Sequence, residues 1–107
     1  MVLEKIDSNS FEQIIYDDAT PSLVMFSRNN CRVCLAVRPV LEDLAPQYLG
    51  RVSFFYTDVE DDEPLFRRFS LKGVPQLLFF RDGNYVGKMA GELAEEDIEV
   101  KLKELFA

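Results

Sequence analysis

The sequence predicts an α/β fold, a central mixed sheet of four to five strands flanked by helices on both faces. Three observations carry this. Short apolar runs bounded by turn residues, at Leu23–Phe26, Val52–Tyr56 and Gln76–Phe80, read as buried strands. The segments between them repeat apolar residues at spacings of three and four, as core-facing helices do. Arg81-Asp82-Gly83-Asn84 is a hairpin turn, which makes the last two strands antiparallel. The resulting order is β-α-β-α-β-α-β-β-α, and right-handed crossovers make the first strands parallel. At 107 residues the chain is expected to be one domain over 1–107, with a single core.

Taken in order, Val2 to Ile6 suits a short edge strand. Ser10 reads as a helix cap with Gln13 completing a capping box, and Phe11, Ile14 and Ile15 share one face behind it. Asp17 to Pro21 end that helix before Leu23–Phe26. From Cys31 to about Tyr48 the pattern is helical, with Val33, Val37, Val40, Leu41, Leu44 and Tyr48 forming one stripe. Pro39 lies inside it and predicts a kink near the second turn. Gly50 leads to Val52–Tyr56. Asp58 to Glu63 reads as a solvated acidic loop whose carboxylates suit the start of the next helix. Pro64 fits that helix's first turn, and Leu65, Phe66 and Phe69 form its apolar face. SLKGVP then turns into Gln76–Phe80, and the hairpin returns through Tyr85–Met89. Gly91 interrupts the pattern as a bulge or a break. The last helix runs from about Glu95 to Phe106, acidic at its start and lysine-bearing towards its end.

Composition removes several function classes. A net charge of −7 with no basic stripe argues against nucleic acid. The longest apolar runs are too short to span a bilayer. The first ten residues lack the basic and apolar regions of a secretory signal, so a cytoplasmic location is expected. With no histidine, His-based triads and His-ligated metals are out, and two cysteines cannot make a four-thiolate site within one chain.

Those two cysteines, Cys31 and Cys34, sit at the junction between the strand Leu23–Phe26 and the long helix. A Cys-x-x-Cys pair there is, in outline, a thiol–disulfide exchange site. In the cytoplasm such a pair is more often catalytic or metal-binding than structural. Cys31 lies where unpaired backbone N–H groups and the positive end of the helix dipole favour thiolate over thiol. Arg28 and Arg32 flank it, and Arg38 lies two turns along, so all three are candidates for lowering its pKa. Three residues on, Cys34 should bring its α-carbon within roughly 5–6 Å, as a disulfide requires. Cys31 would then be the nucleophile and Cys34 the resolving thiol.

Cys31-x-x-Cys34 opening a helix, Pro39 within it, Gly73-Val74-Pro75 before a late strand, the Asp82-Gly83 hairpin and Gly91 together closely resemble the thioredoxin family. The resemblance covers essentially the whole chain. It implies the thioredoxin fold, reduction of protein disulfides through a Cys31/Cys34 dithiol–disulfide cycle, and a cis bond before Pro75. It also implies that Val74 offers its backbone to an extended substrate segment, with Asn30, Arg32 and Gly91 on the same docking surface. The redox group is the cysteine pair itself, with no other cofactor and no metal. The expected partners are disulfide-containing client proteins and a thioredoxin reductase or similar electron donor, with no nucleic acid, no membrane, and a monomer as the state in solution.

Four departures from the family's pattern stand out. The usual WCGPC is Asn30-Cys31-Arg32-Val33-Cys34, and the chain has no tryptophan. The buried acid that many members carry six residues before the first cysteine is Met25. The lysine often near that acid has no clear equivalent, Tyr56 being the nearest position. These changes predict an unusual redox poise, shifted towards oxidation, and slower resolution by Cys34 for want of a buried base. Two other readings stay open on the residues alone. One is a redox-inert adapter or chaperone module on the same fold. The other is a metal or iron–sulfur site shared between two chains, each giving one Cys pair.

Overall fold

The computed structural model describes residues 3–91 and 93–106. Its elements are β1 (Glu4–Lys5), α1 (Ser8–Phe11), β2 (Ser22–Ser27), α2 (Arg32–Leu44), β3 (Ser53–Asp58), α3 (Glu63–Arg68), β4 (Gln76–Arg81), β5 (Asn84–Ala90) and α4 (Glu95–Phe106). Wider π-type turns over Glu12–Asp17 prolong α1, and a 3₁₀ turn over Ala45–Tyr48 prolongs α2. The strands form one mixed five-stranded sheet in the order β1-β3-β2-β4-β5. The pairs β1/β3 and β2/β3 are parallel, whereas β4 runs antiparallel to both β2 and β5.

The central strand β2 is buried at all six positions, because both of its faces are covered. Alternation along the strands sends Leu23, Met25, Leu77 and Phe79 to one face, where Val37, Leu41 and Leu44 of α2 and Ile98 and Leu102 of α4 complete a core. Val24, Phe26, Leu78 and Phe80 face the other way, against Phe11 and Ile15 and against Leu65 of α3. Phe11 meets Phe80 edge-on at 5.3 Å between ring centroids, and Phe69 lies against both Phe26 and Phe80. Aromatic pairs of this geometry add about 0.5–1.5 kcal/mol beyond the area they bury.

Several local expectations need correction. The first helix begins two residues before Ser10. Asp7 is its cap: its carboxylate accepts from the Ser10 backbone N–H, and the Asp7 N–H donates to Ser10 Oγ, at 2.9 Å each. Ser10 is thus the third helical residue of the capping box, where Gln13 had been expected. Asp62 does not serve the start of its own helix by its side chain. Its carboxylate instead accepts from the backbone N–H and hydroxyl of Ser8, at 2.6 and 2.5 Å, tying the β3–α3 loop to the start of α1. Pro39 lies inside α2, as expected, and the helix runs on past it to Leu44. Of the two readings of Gly91, the break is the one found: β5 ends at Ala90 and Gly91 follows with φ of +87°, while the irregularity in the β4/β5 ladder falls between Phe79 and Phe80. The expected edge strand is reduced to Glu4–Lys5, and Val2 lies outside the described residues.

Candidate active site

The buried strand β2 ends at Ser27, a short polar turn follows, and Cys31 caps α2 with extended backbone. The cap position is what orients the sulfur. Cys31 Sγ accepts the backbone N–H of Cys34 at 3.2 Å, so one of the unpaired donors of the first helical turn is aimed at it. Cys34 is inside the helix, 5.2 Å away between α-carbons, and the two sulfurs are joined as a disulfide. Cys31 is 8 % exposed and Cys34 4 %, so the cap residue is slightly the more exposed of the pair.

Across from the pair, the bond between Val74 and Pro75 is cis, as the resemblance implied. The Val74 carbonyl oxygen lies 4.0 Å from Cys31 Sγ, which puts the backbone of this loop directly beside the disulfide. The Gly91 N–H donates to the Pro75 carbonyl at 3.4 Å and ties the end of β5 to this loop. Below the loop, Gln76 donates its side-chain N–H to the Gly73 carbonyl at 2.9 Å, while its buried Oε1 has no partner. The structure thus gathers Cys31, Cys34, Val74, Pro75 and Gly91 on one rim. Asn30 and Arg32, on either side of Cys31 in the chain, are exposed.

The arginines divide. Arg28 and Arg32 are exposed and make no ion pair among the described residues. Arg38 lies within α2, one turn beyond Cys34, and is half-buried. Its guanidinium stacks on Tyr56, 4.3 Å from the ring centroid.

Two features were not anticipated. Val33, Ala36 and Val37 of α2, with Leu93 and Ala94, line an apolar hollow of about 490 Å³ next to the cysteine pair. Their types are those of ordinary core residues, and only the fold reveals that they meet at the surface. On the inner side of Cys34, a smaller recess of about 140 Å³ is lined by Met25, Arg38, Tyr56 and Asp58 among others. The sequence alone puts Asp58 in a solvated acidic loop. It is in fact the last residue of β3 and 5 % exposed, with Oδ1 accepting the Glu60 N–H at 2.8 Å.

A pair arranged in this way can pass between two thiols and one disulfide without leaving the chain, which defines a thiol–disulfide oxidoreductase. Residues 2–104 match the thioredoxin family model, and the chain belongs to that family. It is 34 % identical over 90 residues to Thioredoxin C-2 of Corynebacterium nephridii, an alignment covering 84 % of this chain and 82 % of that one. Against the thioredoxin of Staphylococcus saprophyticus it is 30 % identical over 98 residues, covering 92 % of each. A mutant thioredoxin from Halobacterium salinarum superimposes with a TM-score of 0.89 at 22 % identity, covering 99 % of this chain and 92 % of the other, and shows the same fold. The protein is accordingly a protein-disulfide reductase of thioredoxin type.

Proposed function

We propose that the protein reduces the disulfides of cytoplasmic client proteins, with Cys31 as nucleophile and Cys34 as resolving thiol. The observation that carries this assignment is the Cys34 N–H on Cys31 Sγ, at 3.2 Å. A donor held there favours negative charge on that sulfur, and the dipole of α2 adds to it. In the reduced protein the Cys31 thiolate attacks a client disulfide, and one client sulfur leaves as thiolate. Cys34 then attacks Cys31, the mixed disulfide breaks, and the Cys31–Cys34 bond re-forms as the second client thiolate departs. The client lies extended along Val74 and Pro75, with Asn30, Arg32 and Gly91 at the margin and the apolar hollow beside Val33 taking a side chain. A thioredoxin reductase or similar donor returns the two electrons. The cysteine pair is the whole redox apparatus, carried by a monomer with one domain.

A Cys34→Ser variant tests the assignment. Passed over a cell extract, it should retain clients as mixed disulfides on Cys31 that dithiothreitol releases, and a Cys31→Ser variant should retain none. Equal retention by both, or two thiols that react no faster than free cysteine, would end this reading in favour of an inert module.

The redox poise belongs to the same proposal. Arg32 between the cysteines, and Arg28 before them, add positive charge near the Cys31 thiolate and stabilise the reduced form. Stabilising the reduced form raises the potential. Equilibration with glutathione should give a less negative value than a thioredoxin with the CGPC sequence, and Arg32→Gly should lower it. A potential at or below that of the CGPC protein contradicts the assignment.

A further inference from the structure

We infer that Asp58, through water held in the recess behind Cys34, accepts the Cys34 proton when the mixed disulfide is resolved. This inference rests on the assignment of Cys31 as nucleophile and Cys34 as resolving thiol. Cys34 needs a proton acceptor because only the thiolate attacks a disulfide. From β2 the recess is lined by Ser27 and by Met25, and the Met25 side chain has no proton to exchange. The parallel register of β2 and β3 sets Met25 beside Tyr56 and Ser27 beside Asp58. Tyr56 and Asp58 are two residues apart on β3 and so point to the same side of the sheet, towards α2. The recess lined by Cys34 and Asp58 measures about 140 Å³, enough for several waters at about 30 Å³ each. One oxygen of Asp58 is held by the Glu60 N–H, whereas Oδ2 accepts no hydrogen bond among the described residues.

The charged and titratable groups facing this carboxylate come from four elements. Arg38 reaches the recess from α2, Arg28 from the turn after β2, and Tyr56 from β3 itself. On the outer side is β1, where the Lys5 ammonium is held mainly by Asp61 and feels Tyr56 and Asp58 more weakly. Arg28 and Arg38 make no ion pair among the described residues, so two uncommitted guanidinium groups line the recess with Asp58. In the step itself, the Cys34 S–H proton moves to a water and on to Asp58. The freed electron pair forms the bond to Cys31 Sγ, and the pair of the broken mixed disulfide leaves on the client sulfur. The proton later returns to solvent from Asp58.

Stopped flow with the full chain, fully reduced and mixed with an excess of an aromatic disulfide such as dithionitrobenzoate, separates the two steps. The first release of thionitrobenzoate reports attack by Cys31 and scales with reagent concentration. The second reports resolution by Cys34 and does not. Asp58→Asn keeps the acceptor for the Glu60 N–H and removes the proton acceptor. It should leave the first phase unchanged and slow the second at pH 7 by about tenfold or more, the low end of what general-base catalysis supplies. The second phase of that variant should then rise about tenfold per pH unit, as bulk base takes over, whereas the wild-type rate stays nearly flat between about pH 6 and 8. Asp58→Glu should retain most of the rate. A second phase in Asp58→Asn equal to wild type, or both phases slowed alike, overturns the inference. Should the variant not fold, the wild-type profile decides, because a tenfold rise per pH unit across that window excludes an internal acceptor. Absence of the first phase would instead sink the assignment of Cys31, leaving the two failures distinguishable.

Discussion

Asp7 shows how one residue near the start of the chain ties local sequence to stability. Backbone and side-chain hydrogen bonds from Ser10 hold its carboxyl below the usual carboxylate range, outweighing the small opposing effect of burial. A folded-state pKa that is depressed stabilises the fold above the unfolded value, and the contribution disappears as pH falls through the folded value. Asp7→Ala should therefore lower the melting temperature at neutral pH, and the gap from wild type should close as both are acidified below the carboxylate range. A gap that persists unchanged in acid would mean that the cap acts by some route other than charge. The capping box was legible as a pattern, but its register was not, because Ser10 is equally plausible as the cap or as the third helical residue. Asp58 was misplaced for a related reason. An acidic run looks solvated throughout, and nothing local says that its first member ends a buried strand. Cys31, Cys34 and Pro75 were legible because their chemistry is tied to fixed spacings in the chain.

Among the elements, the hairpin between β4 and β5 was the most readable. Asp82 and Gly83 both have positive φ, +54° and +78°, which is the backbone that joins two strands through two residues without splaying them. Gly83→Ala should cost about 1–2 kcal/mol in chemical denaturation. The penalty comes from the backbone and not from crowding, since an added Cβ would meet only the Tyr16 carbonyl, at 3.8 Å. An unchanged midpoint would show that the turn relaxes to another type. The strands themselves came out a residue or so longer than their apolar runs. Ser22, Ser27, Thr57 and Asp58 are polar yet buried, held in β2 and β3 by neighbours that the sequence does not display. Helix α4 matched its expected limits of Glu95 and Phe106, because its acidic start and its apolar spacing agree.

At the scale of the whole molecule, the sheet separates two cores, and the cysteine pair touches one of them. Val33 and Val37, close neighbours of Cys34 in α2, pack into the core shared with α4, whereas the phenylalanine cluster around Phe11, Phe69 and Phe80 fills the opposite face. Parallel and antiparallel pairings in one sheet follow from crossovers and a hairpin, and both were deducible from the element order. The reversal of β4 against β2 was not, because the short α3 and the loop through Gly73 leave its direction to tertiary packing.

A chain with four tyrosines and no tryptophan emits ultraviolet fluorescence from its phenols alone. Tyr56 lines the same recess as Cys34, while Tyr48 packs against Phe54, and Tyr16 and Tyr85 lie against the phenylalanines of the far core. Because a sulfur–sulfur bond quenches an adjacent excited ring, the molecule carries its own optical gauge of electron load. Emission should brighten on reduction, and Tyr56→Phe should remove most of that change.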